Sequence, residues 1–358
     1  MSGQKMTTLY LLEPQTLVKK EGDALAVHIP ANEETGEPKR KRRVPLIKVE
    51  RVVVQGRSTL TSEAVAALLE RGSGITYLDQ YGGYRGHLAP PFTKNGQLRL
   101  AQASAHLDWE RRHVLARQFV RGKLHNMRTL LLRHNRTRKI DELAQSAESI
   151  KNALCALDVL PLDELPAPTG NPQAASAYGR MQGLEGSATA AYFGCFRHIL
   201  KTPALFNGRT RRPPRDPANA LLSYGYTILL NQVQSALCTV GFDPYIGYLH
   251  GTGYGKPALA LDLMEEFRPI VVDSVMLTIF NTGELSDADF IEQLGSYRLT
   301  AKGRRTFLTR LETRFNETIK HPTFGYKATY RRCIELQARL LAKFVTDEVE
   351  EYPSFRVR

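Results

Sequence analysis

Cysteine is scarce and scattered. Cys155, Cys195, Cys238 and Cys333 lie far apart and form no CxxC pair. That excludes a disulfide scaffold and a zinc-ribbon framework. Cys195 and Cys238 sit in apolar helical contexts and read as small buried hydrophobes. No long uncharged apolar run is present, and the start lacks the pattern of a secretory signal, so the expectation is a cytoplasmic protein. A phosphate-binding P-loop is also missing. Gly255-Lys256 resembles its end, but His250 stands where its first glycine is needed and Pro257 where Ser or Thr is needed. No Ser, Cys or Tyr sits in a recognisable activated-nucleophile arrangement, so no covalent protein–substrate intermediate is expected. Acid is in short supply as well: 36 Asp and Glu stand against 49 Lys and Arg, a net charge of +13. Such a surplus favours a polyanionic partner, through release of counterions from phosphates.

What is there is ordinary globular material. The 358 residues are 42% hydrophobic and 24% charged, enough for two domains with a sizeable core. Residues 1–95 read as β-rich. Thr7–Glu13 is a short apolar strand; Thr16–Lys20 and Ala24–Ile29 form a hairpin around Glu21-Gly22-Asp23. Val44–Gly56 supplies one or two strands, and Gly74–Leu78 and Gly83–Leu88 resume the pattern. Between them Ser62–Arg71 is a short helix, with Ser62 as N-cap and Gly72 as C-cap. Ala31–Arg43 reads as a polar loop that ends in five consecutive bases, Lys39 to Arg43. It is either a solvated hairpin tip or a phosphate-contacting arm.

From Leu98 onward helical periodicity dominates, so residues 96–358 are expected to form an all-helical domain and the whole an α+β fold. Arg111–Lys139 is dense in base, Lys123 included, over a buried stripe of Leu115, Phe119, Leu124, Met127 and Leu131. Almost no acid balances it. The face with Arg117, Arg121, Arg128 and Arg138 is therefore expected to track a nucleic-acid backbone. Asp158–Gln173 is a Pro-rich connector, and Ala174–Leu200 a long helix with Glu185 between Gly183 and Gly186. In Phe206–Asp216, a rigid basic loop, Arg209, Arg211, Arg212 and Arg215 could hold phosphates. Asp216 or Pro217 starts the next helix, which carries Asn219 and Tyr224.

The stretch Gly247–Phe267, GYLHGTGYGKPALALDLMEEF, concentrates the chemistry. An apolar lead-in reaches His250, and a glycine loop with Tyr254 and Lys256 leads into a helix. Asp262 and Glu265 share one face of that helix. Ala260, Leu263, Met264 and Phe267 face a core. Pro269 lacks the N–H that would bond the carbonyl of Glu265, so the helix kinks or breaks there. Carboxylates on so apolar a helix need a neutralising charge. A divalent cation with His250 as nitrogen ligand would supply it; two solvated acids beside a loop histidine is the other reading.

Three ordered segments carry a resemblance: LEGSATAAYFGCF around Glu185, RRPPRDPANALLSYGYTILL from Arg211, and GYLHGTGYGKPALALDLMEEFRP from Gly247. YRRCIELQARLL from Tyr330 is a weaker fourth. Together they resemble the CRISPR-associated protein one family, the metal-dependent integrase and endonuclease of spacer acquisition. The resemblance implies an N-terminal β-domain, a helical catalytic domain and a homodimer that works with a small dimeric partner on DNA. It implies a metal site of Glu185, His250 and Glu265, with Asp262 close by. Glu266 also falls near that face. Asn219 and Tyr224 match motif positions near the site, where capping and core packing compete with DNA contact. Ala258 replaces a serine frequent in the family.

Two carboxylates and an imidazole suit Mg²⁺ or Mn²⁺, with Mn²⁺ favoured by the nitrogen. The expected activity is attack of a DNA 3′-OH on a repeat phosphodiester. A hydrolytic structure-specific nuclease, a mobile-element integrase and a non-catalytic DNA-binding scaffold are the alternatives.

Overall fold

The computed structural model describes residues 7–31, 38–79, 82–90, 95–161, 177–210 and 213–358. The chain divides into two units, Met1–Phe92 and Thr93–Arg358.

The described residues of the first unit form two four-stranded sheets. One contains β1 (Thr7–Leu11), β5 (Val49–Gln55), β7 (Gly74–Leu78) and β8 (Tyr84–Leu88) in that order. The first three strands run parallel and β8 antiparallel. The other contains β4 (Arg40–Pro45), β3 (Ala24–Ile29), β2 (Leu17–Glu21) and β6 (Thr59–Leu60). The β2–β3 hairpin turns at Gly22, whose φ of +59° suits glycine. Val18, Leu25, Val52, Val54 and Leu68 share one buried cluster.

Two expectations change here. The basic run at 40–43 is the edge strand β4, paired with β3 from Arg40↔Ile29 to Ala24↔Pro45. Its charges suit an edge, where they discourage pairing with another chain, and Lys41 pairs with Glu21 at 2.7 Å. The remainder of that segment, 32–37, lies outside the described residues. The helix α1 (Ser62–Glu70) is capped by Thr61, whose Oγ1 accepts from the N–H of Ala64, and Arg71 takes the C-cap place assigned to Gly72.

The second unit is mainly helical. Helices α2 (Gly96–Leu107), α3 (Trp109–Arg138), α4 (Asp141–Asp158) and α5 (Ala177–Gly194) come first. The expected long helix breaks at Cys195 into the short α6 (Phe196–Ile199). Then come α7 (Pro217–Val240), capped by Asp216, and α8 (Ala258–Glu265). The chain leaves α8 through a π-helical turn, Pro269–Asp273, into α9 (Ser274–Thr282). Pro269 has no N–H to offer at this point, and the N–H of Ser274 closes the wider turn on the carbonyl of Pro269. Helices α10 (Ala301–Asn316) and α11 (Tyr330–Val345) follow.

The unit is not all helix. Two hairpins, β9 (Phe290–Gln293) with β10 (Ser296–Leu299) and β11 (Thr318–Lys320) with β12 (Lys327–Thr329), interrupt it. The first turns on Leu294-Gly295, both at positive φ. Leu294 at such a position hides the turn from a reading that looks for Asn-Gly or Asp-Gly.

The long basic helix α3 is a core element. Its expected stripe is buried, and α2, α4, α5 and α8 pack around it. Cys195 is buried as expected; Cys238 is half-buried, and burial pushes its thiol up to about 11.

Candidate active site

The site is assembled from α3, α5, α8 and the segment 243–250. That segment has little regular structure, so side chains hold it. Gln102 on α2 donates to the carbonyls of Asp243 (2.7 Å) and Ile246 (2.9 Å) and accepts from the N–H of Asp243. Arg112 on α3 donates to the carbonyl of Tyr248 at 3.1 Å. From the other side Asp262 takes three backbone N–H groups, those of Tyr248 (2.6 Å), Leu249 (2.9 Å) and His250 (2.8 Å). Its Oδ1 also lies 2.7 Å from His250 Nδ1. Gly247 lets this strap pass: a Cβ there would meet Ala258 at 2.7 Å and the Asp262 carboxylate at 2.8 Å.

Asp262 is fully buried, and each of its oxygens is engaged. It fixes the ring of His250. A carboxylate on Nδ1 keeps the proton there and leaves the Nε2 lone pair for another partner.

Glu265, one turn on, is 3% exposed. Its Oε1 accepts from Arg268 at 2.6 Å, and its Oε2 lies 2.9 Å from Lys123 Nζ. The Lys123 ammonium is thus the cation that faces Oε2. The same Lys123 ammonium pairs with Glu185 on α5. Burial opposes the charge on Glu265. Arg268 and Lys123 outweigh it, with help from His250, and hold the carboxyl at about 2.

Glu185 and Glu265, remote in sequence, thus meet at one cation. His250 stands near enough to favour the charge of Glu265 but is bonded to Asp262. Among the described residues no group of three His, Cys, Asp or Glu is arranged to hold a metal ion. Glu185, His250 and Glu265 are the residues that could do so, because the oriented Nε2 and the two carboxylates that meet at Lys123 are all suitable ligands.

Beside them opens a cavity of about 550 Å³, lined by Lys123, Glu185, Thr189, Phe193, Gly208 and Arg209 among others. Glu266 is not part of it. It is fully buried on the far side, accepting from Tyr352 Oη (2.9 Å), Gln337 Nε2 (3.2 Å) and the N–H of Phe355 (2.8 Å). One residue along a helix turns the side chain away by a quarter turn or more.

The expected nucleic-acid contacts divide. Arg117 donates to the Leu160 carbonyl at 2.6 Å, Arg121 pairs with Asp158, and Arg138 donates to the Ile199 carbonyl. Arg128 is half-buried. Arg117, Arg121 and Arg138 therefore hold their own neighbours, and the lack of balancing acids in α3 is made up for them by α4 and by backbone carbonyls. Asn219 is fully buried; it donates to Gly208 and accepts from Arg209 and Thr210, closing the basic loop. Tyr224 is buried against Phe307. Arg209 lines the cavity, while Arg215 and Tyr254 are exposed and Lys256 half-buried. Arg211 and Arg212 lie outside the described residues.

Sequence reasoning missed Lys123 as a site residue, along with Arg268 and Tyr178. Lys123 carried a signal, since it interrupts the apolar stripe of α3 between Phe119 and Met127. Tyr178 on α5 has none: burial, then the Asp262 charge, pushes its hydroxyl up to about 12.

Two carboxylates that converge on a buried lysine, beside a cavity with an arginine in its wall, make a site suited to chemistry on a polyanion. The family described as CRISPR associated protein Cas1 matches residues 9–313, and the chain belongs to it. It is 37% identical to the CRISPR-associated endonuclease Cas1 3 of Thermus thermophilus, over 99% of both chains. In fold it resembles a casposase bound to integration product, with a TM-score of 0.81 at 24% identity, over 99% of this chain and 96% of that one. It also resembles a Cas6-RT-Cas1–Cas2 complex, with a TM-score of 0.75 at 28% identity. All of this chain corresponds to 36% of that longer one. No helix among the described residues is long and apolar enough to cross a membrane.

Proposed function

We propose that the protein inserts spacer DNA into a CRISPR repeat by attack of a DNA 3′-OH on a phosphodiester. The observation that carries this reading is the meeting of Glu185 and Glu265 at one cation, beside a histidine whose Nδ1 is held by Asp262. Glu185, His250 and Glu265 hold Mg²⁺ or Mn²⁺; two carboxylates and one imidazole suit either, and the nitrogen favours Mn²⁺. The metal supplies alignment of the attacking oxygen and relief of charge at phosphorus. Asp262 and the 243–250 strap hold His250 in place for it, and Arg209 gives the cavity a positive wall for phosphate.

Exchange of one phosphodiester for another is close to thermoneutral, so alignment suffices without an energy source. Each site handles one strand, so insertion of both spacer ends takes two copies. A homodimer formed through residues 1–95, acting with a small dimeric partner of the Cas2 kind in the cytoplasm, meets that need. The Cas1–Cas2 complex among the structural relatives supports the partner. The endonuclease name of the Thermus relative favours a second reading, hydrolysis with water as nucleophile.

The two are separated by supplying prespacer DNA with 3′-OH or 3′-dideoxy ends, a repeat-bearing plasmid, Mn²⁺ and the partner. Joined product that requires the 3′-OH is expected. Equal plasmid cutting with either end and no joined product leaves only the nuclease.

A further inference from the structure

Lys123 is an unusual lysine. It sits in the middle of α3, is 3% exposed, and pairs with Glu185 and Glu265 at once. Arg268, the second cation at Glu265, is fixed: its guanidinium lies 4.0 Å from the centre of the Tyr226 ring, over its face. Lys123 has no such stack among the described residues. Its side chain is a flexible four-carbon stem, and it lines the 550 Å³ cavity beside Glu185. One of the two cations is thus held by an aromatic face, while the other borders open space.

Two carboxylates face two unit cations, so a divalent ion added between Glu185 and Glu265 would meet an ammonium already in its place. Like charges at that separation repel strongly in a buried site. We infer that Lys123 is a resident counter-cation: it holds Glu185 and Glu265 together in the metal-free protein, and a divalent ion binds by displacing it into the cavity. There a DNA phosphate is the anion it takes in exchange. This rests on the proposed metal site at Glu185, His250 and Glu265.

The test uses the full chain, stripped of metal, with Mn²⁺ binding followed by electron paramagnetic resonance. Lys123→Met and Lys123→Gln should each bind Mn²⁺ about tenfold more tightly than wild type, within the range over which neighbours of ligands act. In both, the metal-free protein should melt at a lower temperature, and Mn²⁺ should raise the melting point more than it does in wild type. Equal or weaker Mn²⁺ binding in these variants overturns the inference.

A second measurement needs no substitution. Acetylation of wild-type lysines by an N-hydroxysuccinimide ester, read by peptide mass spectrometry, should label Lys123 several-fold faster with saturating Mn²⁺ than without it. Unchanged or slower labelling overturns the inference even where a variant fails to fold. Glu185→Ala separates the two levels. If it binds Mn²⁺ as tightly as wild type, the metal site itself is wrong and the inference falls with it. If it loses Mn²⁺ while the Lys123 measurements show no change, only the inference falls.

Discussion

His250 Nδ1 lies 2.7 Å from Oδ1 of Asp262, a carboxylate that also gathers three backbone N–H groups of the segment ending at His250. One buried acid therefore fixes both the position of the histidine and the nitrogen that carries its proton. Asp262→Asn keeps the shape, but one of its two oxygens becomes an NH₂ that cannot accept from the strap. We expect metal affinity to fall about 10- to 100-fold, the usual cost of losing the partner of a ligating histidine. Calorimetric titration with Mn²⁺ checks it. Affinity equal to wild type would assign Asp262 to the fold alone.

Behind Glu265 stands a second buried acid. Asp273 accepts from Tyr226 Oη at 2.5 Å and Tyr192 Oη at 2.8 Å, and the Tyr226 ring supports Arg268, which holds Glu265. Tyr226→Phe removes one donor and keeps the ring. It should cost about 1–2 kcal/mol of stability, the price of an unmade buried bond, and leave strand transfer within a few-fold of wild type. Tyr226→Leu removes the ring as well, so Arg268 loses its platform and strand transfer should fall at least about tenfold more. Equal activity in the two variants would reject the relay through Arg268. Urea unfolding and strand-transfer rates supply both numbers.

Much of this was legible in the residues. Period and turn chemistry placed the β2–β3 hairpin, and the core face of α8 followed from Ala260, Leu263, Met264 and Phe267, all buried. The Asp216 cap of α7 was likewise readable. What was hidden is tertiary. Arg117, Arg121 and Arg138 look free along α3 because Asp158 and the carbonyls of Leu160 and Ile199 come from other elements. Asp262 and Glu265 share a face in sequence, yet one bonds a loop and the other an ammonium from α3. Nothing local separates those roles. The pairing of Lys123 with Glu185 depends on how α3 packs against α5, which no periodicity reports.

Two buried groups should give the protein opposed pH dependences. His321 is 1% exposed, and burial pulls its imidazole down to about 4, while its Nδ1 accepts from the N–H groups of Thr323 and Phe324. Its folded value lies below the unfolded one, near 6.5, so stability is lost as pH falls from about 6.5 through 4. Glu266 behaves in reverse: burial raises it to about 8, against its hydrogen-bond donors. Its folded value lies above the unfolded one, so stability is lost as pH rises from about 4.5 through 8. His321→Gln keeps an acceptor without the charge and should flatten the acid limb, by about 3 kcal/mol at pH 4. Glu266→Gln should flatten the other limb. Chemical denaturation from pH 4 to 9 reads both slopes; parallel curves for wild type and a variant would remove that group from the account.

Glycine-to-alanine exchange should have opposite signs at two helical positions. In a helix interior alanine is favoured over glycine by about 0.5–1 kcal/mol, because glycine loses more backbone freedom on folding. Gly183 on α5 has nothing within 4 Å of an added Cβ, so Gly183→Ala should stabilise by about that amount. Gly122 on α3 is the contrary case. An added Cβ would meet Glu266 Cγ at 2.9 Å and Ser354 Cβ at 3.1 Å. Both neighbours are locked. Glu266 holds Tyr352 and the N–H of Phe355, while Asn126 donates to the carbonyl of Phe355 and accepts from the N–H of Val357. Phe355 in turn stacks on Phe267 at 4.7 Å between ring centres. The C-terminal segment is therefore sealed against α3, and a single methyl group must push it or Glu266 aside. Overpacking of that kind costs about 1–3 kcal/mol, which exceeds the helix gain, so Gly122→Ala should be net destabilising. It should also loosen the residue next to Glu265, so strand transfer should fall with stability in this variant and stay near wild type in Gly183→Ala. Urea unfolding of the two variants at one pH decides it: a stabilised Gly122→Ala would mean that the tail yields easily and does not brace the helix carrying Glu265.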